Sequence, residues 1–519
     1  MRRLRKRTVV NNHLPQTNSI EINKQEKSLY INLKKNIQII QETLGNSSDI
    51  IIRQISIGQD RDVQVSIIFV DGLSNSSSLN DFVLESLLFN ADFKSTTKDP
   101  FHVLKELVIS VGELKEVGDF ETLLAGVLSG DPAILLNGYT TGFLVGLKGW
   151  EERGVQEPSS QTVIRGPREG FSENIRFNTA LVRRKIKDST LRLEEQQIGR
   201  VTKTVVALMY IHGIVDETVI KEVRQRLSQI KIDGILESGY IEELIQDHTY
   251  TPFPTIFNTE RPDTAAAALL EGRVVILIDG TPFVLIVPAI FPQFLQSAED
   301  YYQRSEISSL LRLLRFISIF ITFLAPSMFI AVTAFHYEML PQSLLINLTE
   351  QREGVPFPLI IEALLMEATF ELLREAGIRM PRAVGQAISI VGALVIGQAA
   401  VEAGLVSPAM VIVVAITAIT SFAIPAYNMA NAFRILRFGM MILAASFGLF
   451  GIILGMILMV QHLCSLRSFG IPFMSPYAPS TKADYKDTMI RVPWGKMISR
   501  PQFMDQINVL RNNNRSKKR

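Results

Sequence analysis

The sequence predicts an α/β soluble N-terminal region, made of two related subdomains, joined to an all-α helical transmembrane domain. Three observations predict this. Phe316–Phe335, Ala383–Val401, Ala403–Phe433 and Phe438–Gln461 contain no Asp, Glu, Lys or Arg. About 18 apolar residues are enough to cross the hydrocarbon of a bilayer as a helix. The first 310 or so residues are charge-rich, and a length of that order usually makes two domains. Within them, strand and turn motifs recur at one spacing.

Taken in order, residues 1–30 read as a basic, polar, disordered tail. The chain opens with Arg2-Arg3-Leu4-Arg5-Lys6-Arg7 and closes with Arg515-Ser516-Lys517-Lys518-Arg519. No apolar core follows the first cluster, so it is not a secretory signal. Such clusters are either solvated tails or contacts with anionic lipids on a cytoplasmic face. No basic face with interleaved aromatics accompanies them, which argues against nucleic acid. The net charge of +2 discriminates nothing, and the single cysteine, Cys464, permits no internal disulfide.

The first subdomain spans 31–155 and the second 160–295. Ser66–Gly72 is an apolar strand ending in a Gly turn, and Val206–Gly213 repeats it about 141 residues later. Each precedes a helical stretch, Asn80–Asn90 and Asp216–Gln229. Ile134-Leu135-Leu136-Asn137-Gly138 matches Ile276-Leu277-Ile278-Asp279-Gly280 about 142 residues on. Asn-Gly and Asp-Gly between apolar runs are hairpin turns. Helices at Phe120–Leu128 and Thr264–Glu271 precede these hairpins. A polar linker around Gly149–Ser160 separates the halves. Arg165–Phe171, rich in Gly and Arg, reads as a structural turn or an anion cradle, without the spacing of a nucleotide-binding loop. A helix is expected over Asn174–Arg200, its basic residues forming a solvated or domain-docking face.

No catalytic or metal-binding set appears. His13, His102, His212, His248, His336 and His462 are scattered, and none has ligand spacing. There is no nucleophile elbow. The expectation is a protein that is not an enzyme and carries no cofactor.

Residues 296–315 predict an amphipathic connecting helix, with Arg312 and Arg315 marking the cytoplasmic entrance to a membrane domain over 316–462. Pro326 lies mid-span. The stretch from Pro356 to Ala376 is apolar but carries Glu362, Glu367 and Glu371. Carboxylates at membrane depth need a partner or water. The stretch therefore either lies at the interface or crosses with its carboxylates paired to arginines or lining water. Val391, Val395, Gln398 and Glu402 form one helical stripe amid small residues. That stripe is either a pore-lining constriction with a carboxylate at its mouth or a packing face. Ser407-Pro408 starts a further helix, and Pro425 breaks it. Phe438–Gln461 is the last span, with a Gly451-x-x-x-Gly455 packing motif. This gives five segments. Basic ends on one side require an even number of crossings, so one segment should be partial or re-entrant. The first suspect is 357–377. Residues 478–519 read as a cytoplasmic tail.

Several segments together resemble the A subunit of spore germinant receptors, the GerA family. They are Arg165–Phe171, Asn178–Arg183, Thr259–Asp263, Pro356-Phe357-Pro358 leading to Glu362 and Glu367, Arg382–Gln386 and Gly392–Gln398. The likeness runs from about residue 35 to about 480. It implies a multi-pass subunit of the spore inner membrane, its large N-terminal domain in the cytosol or spore core. It implies a transporter-like B subunit and a lipoprotein C subunit as partners. It also implies a homo-oligomeric ring, a pentamer, forming a nutrient-gated cation channel lined near Val395 and Gln398. A non-conducting scaffold, the related spore-membrane complex that amplifies germination, and a secondary transporter are the alternatives.

Overall fold

The computed structural model describes residues 28–57, 63–75, 78–79, 99–109, 113–149, 157–158, 161–380, 397–501 and 511. The basic ends, the helix expected at Asn80–Asn90 and the stripe positions Val391 and Val395 lie outside the described residues.

The two α/β modules share one plan. In the first, α1 (Leu33–Leu44) leads to β1 (Ile50–Ile57) and β2 (Val63–Val70); α2 (Pro100–Ile109) and β3 (Leu114–Val117) follow, then α3 (Phe120–Leu128), β4 (Ala133–Leu136) and β5 (Gly142–Val145). In the second, α4 (Ile175–Lys185) leads to β6 (Leu191–Ile198) and β7 (Thr204–Ile211). Then come α5 (Glu217–Gln229), α6 (Ser238–Ile245), β8 (Phe257–Thr259), α7 (Pro262–Leu270), β9 (Val274–Ile278) and β10 (Val284–Val287). The sheet orders are β1-β2-β4-β5-β3 and β6-β7-β9-β10-β8, antiparallel throughout.

The repeat extends to register and side chains. Val65 faces Leu136 as Val206 faces Ile278. Asn36 closes both polar groups of its amide on the Tyr30 backbone, and Asn178 does the same on Ser172. The turn residues Asn137 and Asp279 accept from the first-turn amides of Leu33 and Ile175. Leu29 N donates to Gly118 O as Phe171 N donates to Glu260 O. The first module therefore begins by Ser28, inside what the sequence suggested was tail.

The helix expected over Asn174–Arg200 is corrected. Its N-cap Asn174 holds, but it stops at Lys185. Asp188 folds back to accept from Thr190 N at 2.7 Å, and Leu191–Ile198 pairs with β7. Of its basic residues, Arg183 is the docking one: it is buried against Asp49 at 2.6 Å and donates to Ser47 Oγ at 2.9 Å. Arg165–Phe171 is a structural turn: Pro167 O accepts from Arg261, and Glu169 pairs with Arg184 and Lys185.

The connecting segment is not one helix. A 3-10 turn over Ala298–Tyr301, closed by a Ser297–Asp300 capping box, precedes α8 (Ser305–Ala334), which contains Pro326. Helices α9 (Gln342–Arg352), α10 (Leu359–Arg379), α11 (Gly397–Glu402), α12 (Pro408–Phe422) and α13 (Tyr427–Ser465) follow. The break expected at Pro425 is present. Both α8 and α13 are long and apolar enough to cross a membrane.

Helix α13 is not a single rod, which corrects the reading of Phe438–Gln461 as one span. Gly448 has φ 59° and ψ −140°, open only to glycine, and the chain reverses there. The Phe253 ring touches both Phe433 (5.5 Å) and His462 (6.0 Å). In a straight helix those two residues would lie about 43 Å apart. A side chain on Gly451 would strike the Leu443 carbonyl, and one on Gly455 would strike Met440. The glycine motif thus packs arm 427–447 against arm 449–465. The apex sits on Phe335 and His336, at the end of the bundle remote from the modules.

Residues 467–501 also depart from expectation. Where a tail was read from 478, this segment straps the second module to the base of α8. Ser468 Oγ donates to Thr255 O and accepts from Ala289 N. Arg312, buried, pairs with Asp300 (3.0 Å) and Asp487 (2.8 Å). Arg491 donates to Gln303 O. Unpaired, these arginines could not be buried.

Candidate functional site

The three carboxylates expected at membrane depth, Glu362, Glu367 and Glu371, all find partners, and α10 holds them at two levels of the bundle. At the remote end, Glu362 Oε1 accepts from Ser407 N (2.7 Å) and Ser407 Oγ (2.5 Å), with Arg352 3.8 Å from its other oxygen. Ser407 also caps α12 through Met410 N, so one hydroxyl fixes the start of that helix and docks it on α10. At the module end, Arg374 on α10 stacks against Phe422 and Tyr427, both 5.4 Å away. The 357–377 stretch therefore runs the height of the bundle as one helix. It is the last segment, not this one, that doubles back.

Between these ends lies a second cluster. Arg437 is 2.6 Å from Glu367 and 3.2 Å from Glu371, and Arg434 closes on Glu371 while donating to Asn431 at 2.6 Å. Glu367 and Arg437 are fully buried. Among the described residues, neither Glu367 oxygen nor Arg437 Nε has a hydrogen-bond partner. Their contact is ionic but poorly aligned, and buried pairs repay desolvation only when well bonded. The arginines were visible in the sequence, but only the fold brings them to these glutamates.

Gln398 and Glu402 are the described members of the predicted stripe. Gln398 Nε2 donates to Glu402 Oε1 at 2.8 Å, and both side chains are exposed. Gly397, on the other side of the short helix, lies against Val411. The Gln398 and Glu402 side chains thus face away from their own bundle. Among the described residues, no group of three or more His, Cys, Asp or Glu could hold a metal ion.

Helix N-cap and turn chemistry position the second module against this bundle. Arg261 pairs with Asp263 (2.7 Å) and donates to Gln161 O and Pro167 O, while Tyr302 donates to Asp263 at 2.5 Å. Burial, with Asp263 alongside, pushes the Tyr302 hydroxyl up. Burial near Asp487 does the same to Tyr301. Sequence reasoning singled out the 259–263 segment without seeing that Arg261 ties linker, module and connector together.

Fold and site together define a class: a duplicated α/β module strapped to an apolar helical bundle with ion pairs in its interior. Residues 38–503 match the family described as Bacillus/Clostridium GerA spore germination protein. The chain belongs to the GerA spore germination family. It is 48% identical over 482 residues to spore germination protein KA of Bacillus subtilis, covering 92% of this chain and 88% of that one. It is 39% identical to spore germination protein GerLA of Bacillus cereus, covering 91% and 96%. It is 43% identical to the uncharacterized membrane protein YfkQ of Bacillus subtilis, covering 92% of each. The crystal structure of the N-terminal domain of the A subunit of the Bacillus megaterium germinant receptor GerK3 aligns at 42% identity, covering 51% of this chain and 97% of that one, with a TM-score of 0.42.

Proposed function

We propose that this chain is the A-type subunit of a spore nutrient receptor and that copies of it ring a cation pathway through the spore inner membrane. The observation that carries the reading is the exposed Gln398–Glu402 pair, which extends an uncharged stretch of sequence and has no partner in its own bundle among the described residues. Facing lipid, an amide and a carboxylate are expensive; facing water at the axis of a ring they are not. Val391 and Val395, on the same stripe by sequence spacing, are the proposed constriction. A ring of five follows the family resemblance, with a transporter-like B subunit sensing the nutrient and a lipoprotein C subunit completing the receptor. No catalytic step is assigned.

The topology fits a multi-pass protein with both modules in the cytosol or spore core. Crossings are assigned to α8, α10, α12 and the two arms of α13, and, from its uncharged sequence alone, to 383–401. That even number returns the strap to the side of the modules. A secondary transporter is disfavoured because the repeat lies in the modules and not in the bundle. The poorly aligned Glu367–Arg437 pair gives the bundle a contact that can rearrange during opening.

Reconstitution of the chain with its B and C companions in planar bilayers tests this. Nutrient-dependent cation conductance is expected, with Val395→Ala leaking without nutrient and Glu402→Gln weakening the preference for cations. Absence of conductance in every combination would leave the scaffold reading in its place.

A further inference from the structure

A cavity of about 290 Å³ lies where the second module meets the near end of the bundle. Gln161, Thr264 and Ser297 line it from the module side; Arg374, Phe422 and Tyr427 line it from the bundle. Among the described residues, no carboxylate lines it, although two arginines do. One of these, Arg261, is spent: its guanidinium is shared between Asp263, Gln161 O and Pro167 O. The other is not. Arg374 is held between two aromatic rings, and its buried NH1 has no acceptor among the described residues. The acids nearest to it on α10 are engaged elsewhere, Glu371 with Arg434 and Arg437, and Glu375 with Arg379.

A buried guanidinium N–H without an acceptor is costly, and its planar fork suits carboxylate or phosphate oxygens. The volume is at the lower end of the range for small-ligand sites. We infer that this junction cavity binds a small anion, a carboxylate or phosphate group whose apolar part lies against Phe422 and Tyr427. Wedged between module and bundle, such an anion strengthens their contact, so its occupancy sets how tightly the two parts move together. The anionic group can come from a free small molecule or from a phospholipid headgroup at the membrane surface. Only the headgroup source rests on the reading that the bundle lies in a bilayer, and the binding measurement does not depend on conductance.

The test uses the full chain in discs of zwitterionic lipid at constant ionic strength. Thermal unfolding is followed with added inorganic phosphate or succinate, and separately in discs containing an anionic phospholipid. Stabilisation by the soluble anions identifies a free ligand; stabilisation confined to anionic discs identifies a headgroup. In either case Arg374→Gln should weaken the apparent affinity about tenfold or more. Arg374→Lys, which keeps the charge and removes the planar fork, should fall between the two. If no anion stabilises the wild type, or if Arg374→Gln and Arg374→Lys both respond as the wild type does, the inference is overturned.

Discussion

The two α/β modules carry the same hydrogen bonds at matching positions, yet they do different jobs. The shared parts are those that close each module on itself: the Asn36 and Asn178 clamps, the Asn137 and Asp279 turns, and the two sheet registers. What differs is what each surface meets. The helix position equivalent to Arg183 is Gln41, so only the second copy reaches across with a buried cation. Among the described residues, it is the second copy that meets the strap and bundle, through Thr255, Ala289 and Phe253. A duplication has kept its internal bonding and specialised its faces.

The sharpest way to break that comparison is Arg183→Met. It leaves Asp49 buried without its cation, and the expected cost is about 3–5 kcal/mol in chemical unfolding of the full chain. Arg183→Met with Asp49→Leu should recover most of it. A recovery of nothing would mean the pair does not dock the modules. Next, Asn36→Ala and Asn178→Ala each strand a backbone N–H and C=O, at about 1–3 kcal/mol apiece. Matching geometry predicts matching losses; a markedly larger loss at Asn178 would show that bundle docking leans on that helix.

A smaller effect distinguishes the modules by pH. Burial, with Glu237 adding to it, pushes the Glu242 carboxyl up to about 7. Its folded value lies above its unfolded one, so the native state holds the extra proton between about 4.5 and 7. Stability then falls as pH rises through that window. Glu242→Gln should flatten this part of the unfolding profile. Glu242 meets Asn258 on β8; at the matching position of the first module, Glu116 on β3 meets Lys105 in an exposed pair. Lys105→Ala should therefore change stability by no more than about 0.5–1 kcal/mol, with no such pH window.

The repeat was legible because apolar strands ending in Gly turns are local patterns. The shared offset of Gly72 and Gly213, and of Gly138 and Gly280, exposed the two modules. The helix starts at Phe120 and Ser407-Pro408 were readable from capping chemistry. The reading failed where long-range contact decided the outcome. Leu191–Ile198 became a strand because β7 lies beside it. The uncharged run around Gly448 looks the same whether straight or folded, since hydropathy has no direction. Its available signal is three glycines in eight residues, of which the Gly451-x-x-x-Gly455 pair reads as packing and Gly448 makes the turn. Glu367 could be suspected of pairing, but Arg437 as its partner required the fold.

The reversal at Gly448 decides at which end of the bundle the strap begins. Were that one residue unable to reverse the chain, everything beyond it would emerge at the end of the bundle remote from the modules. Arg312 would then lose Asp487, and the second module its strap, although neither lies near the altered position.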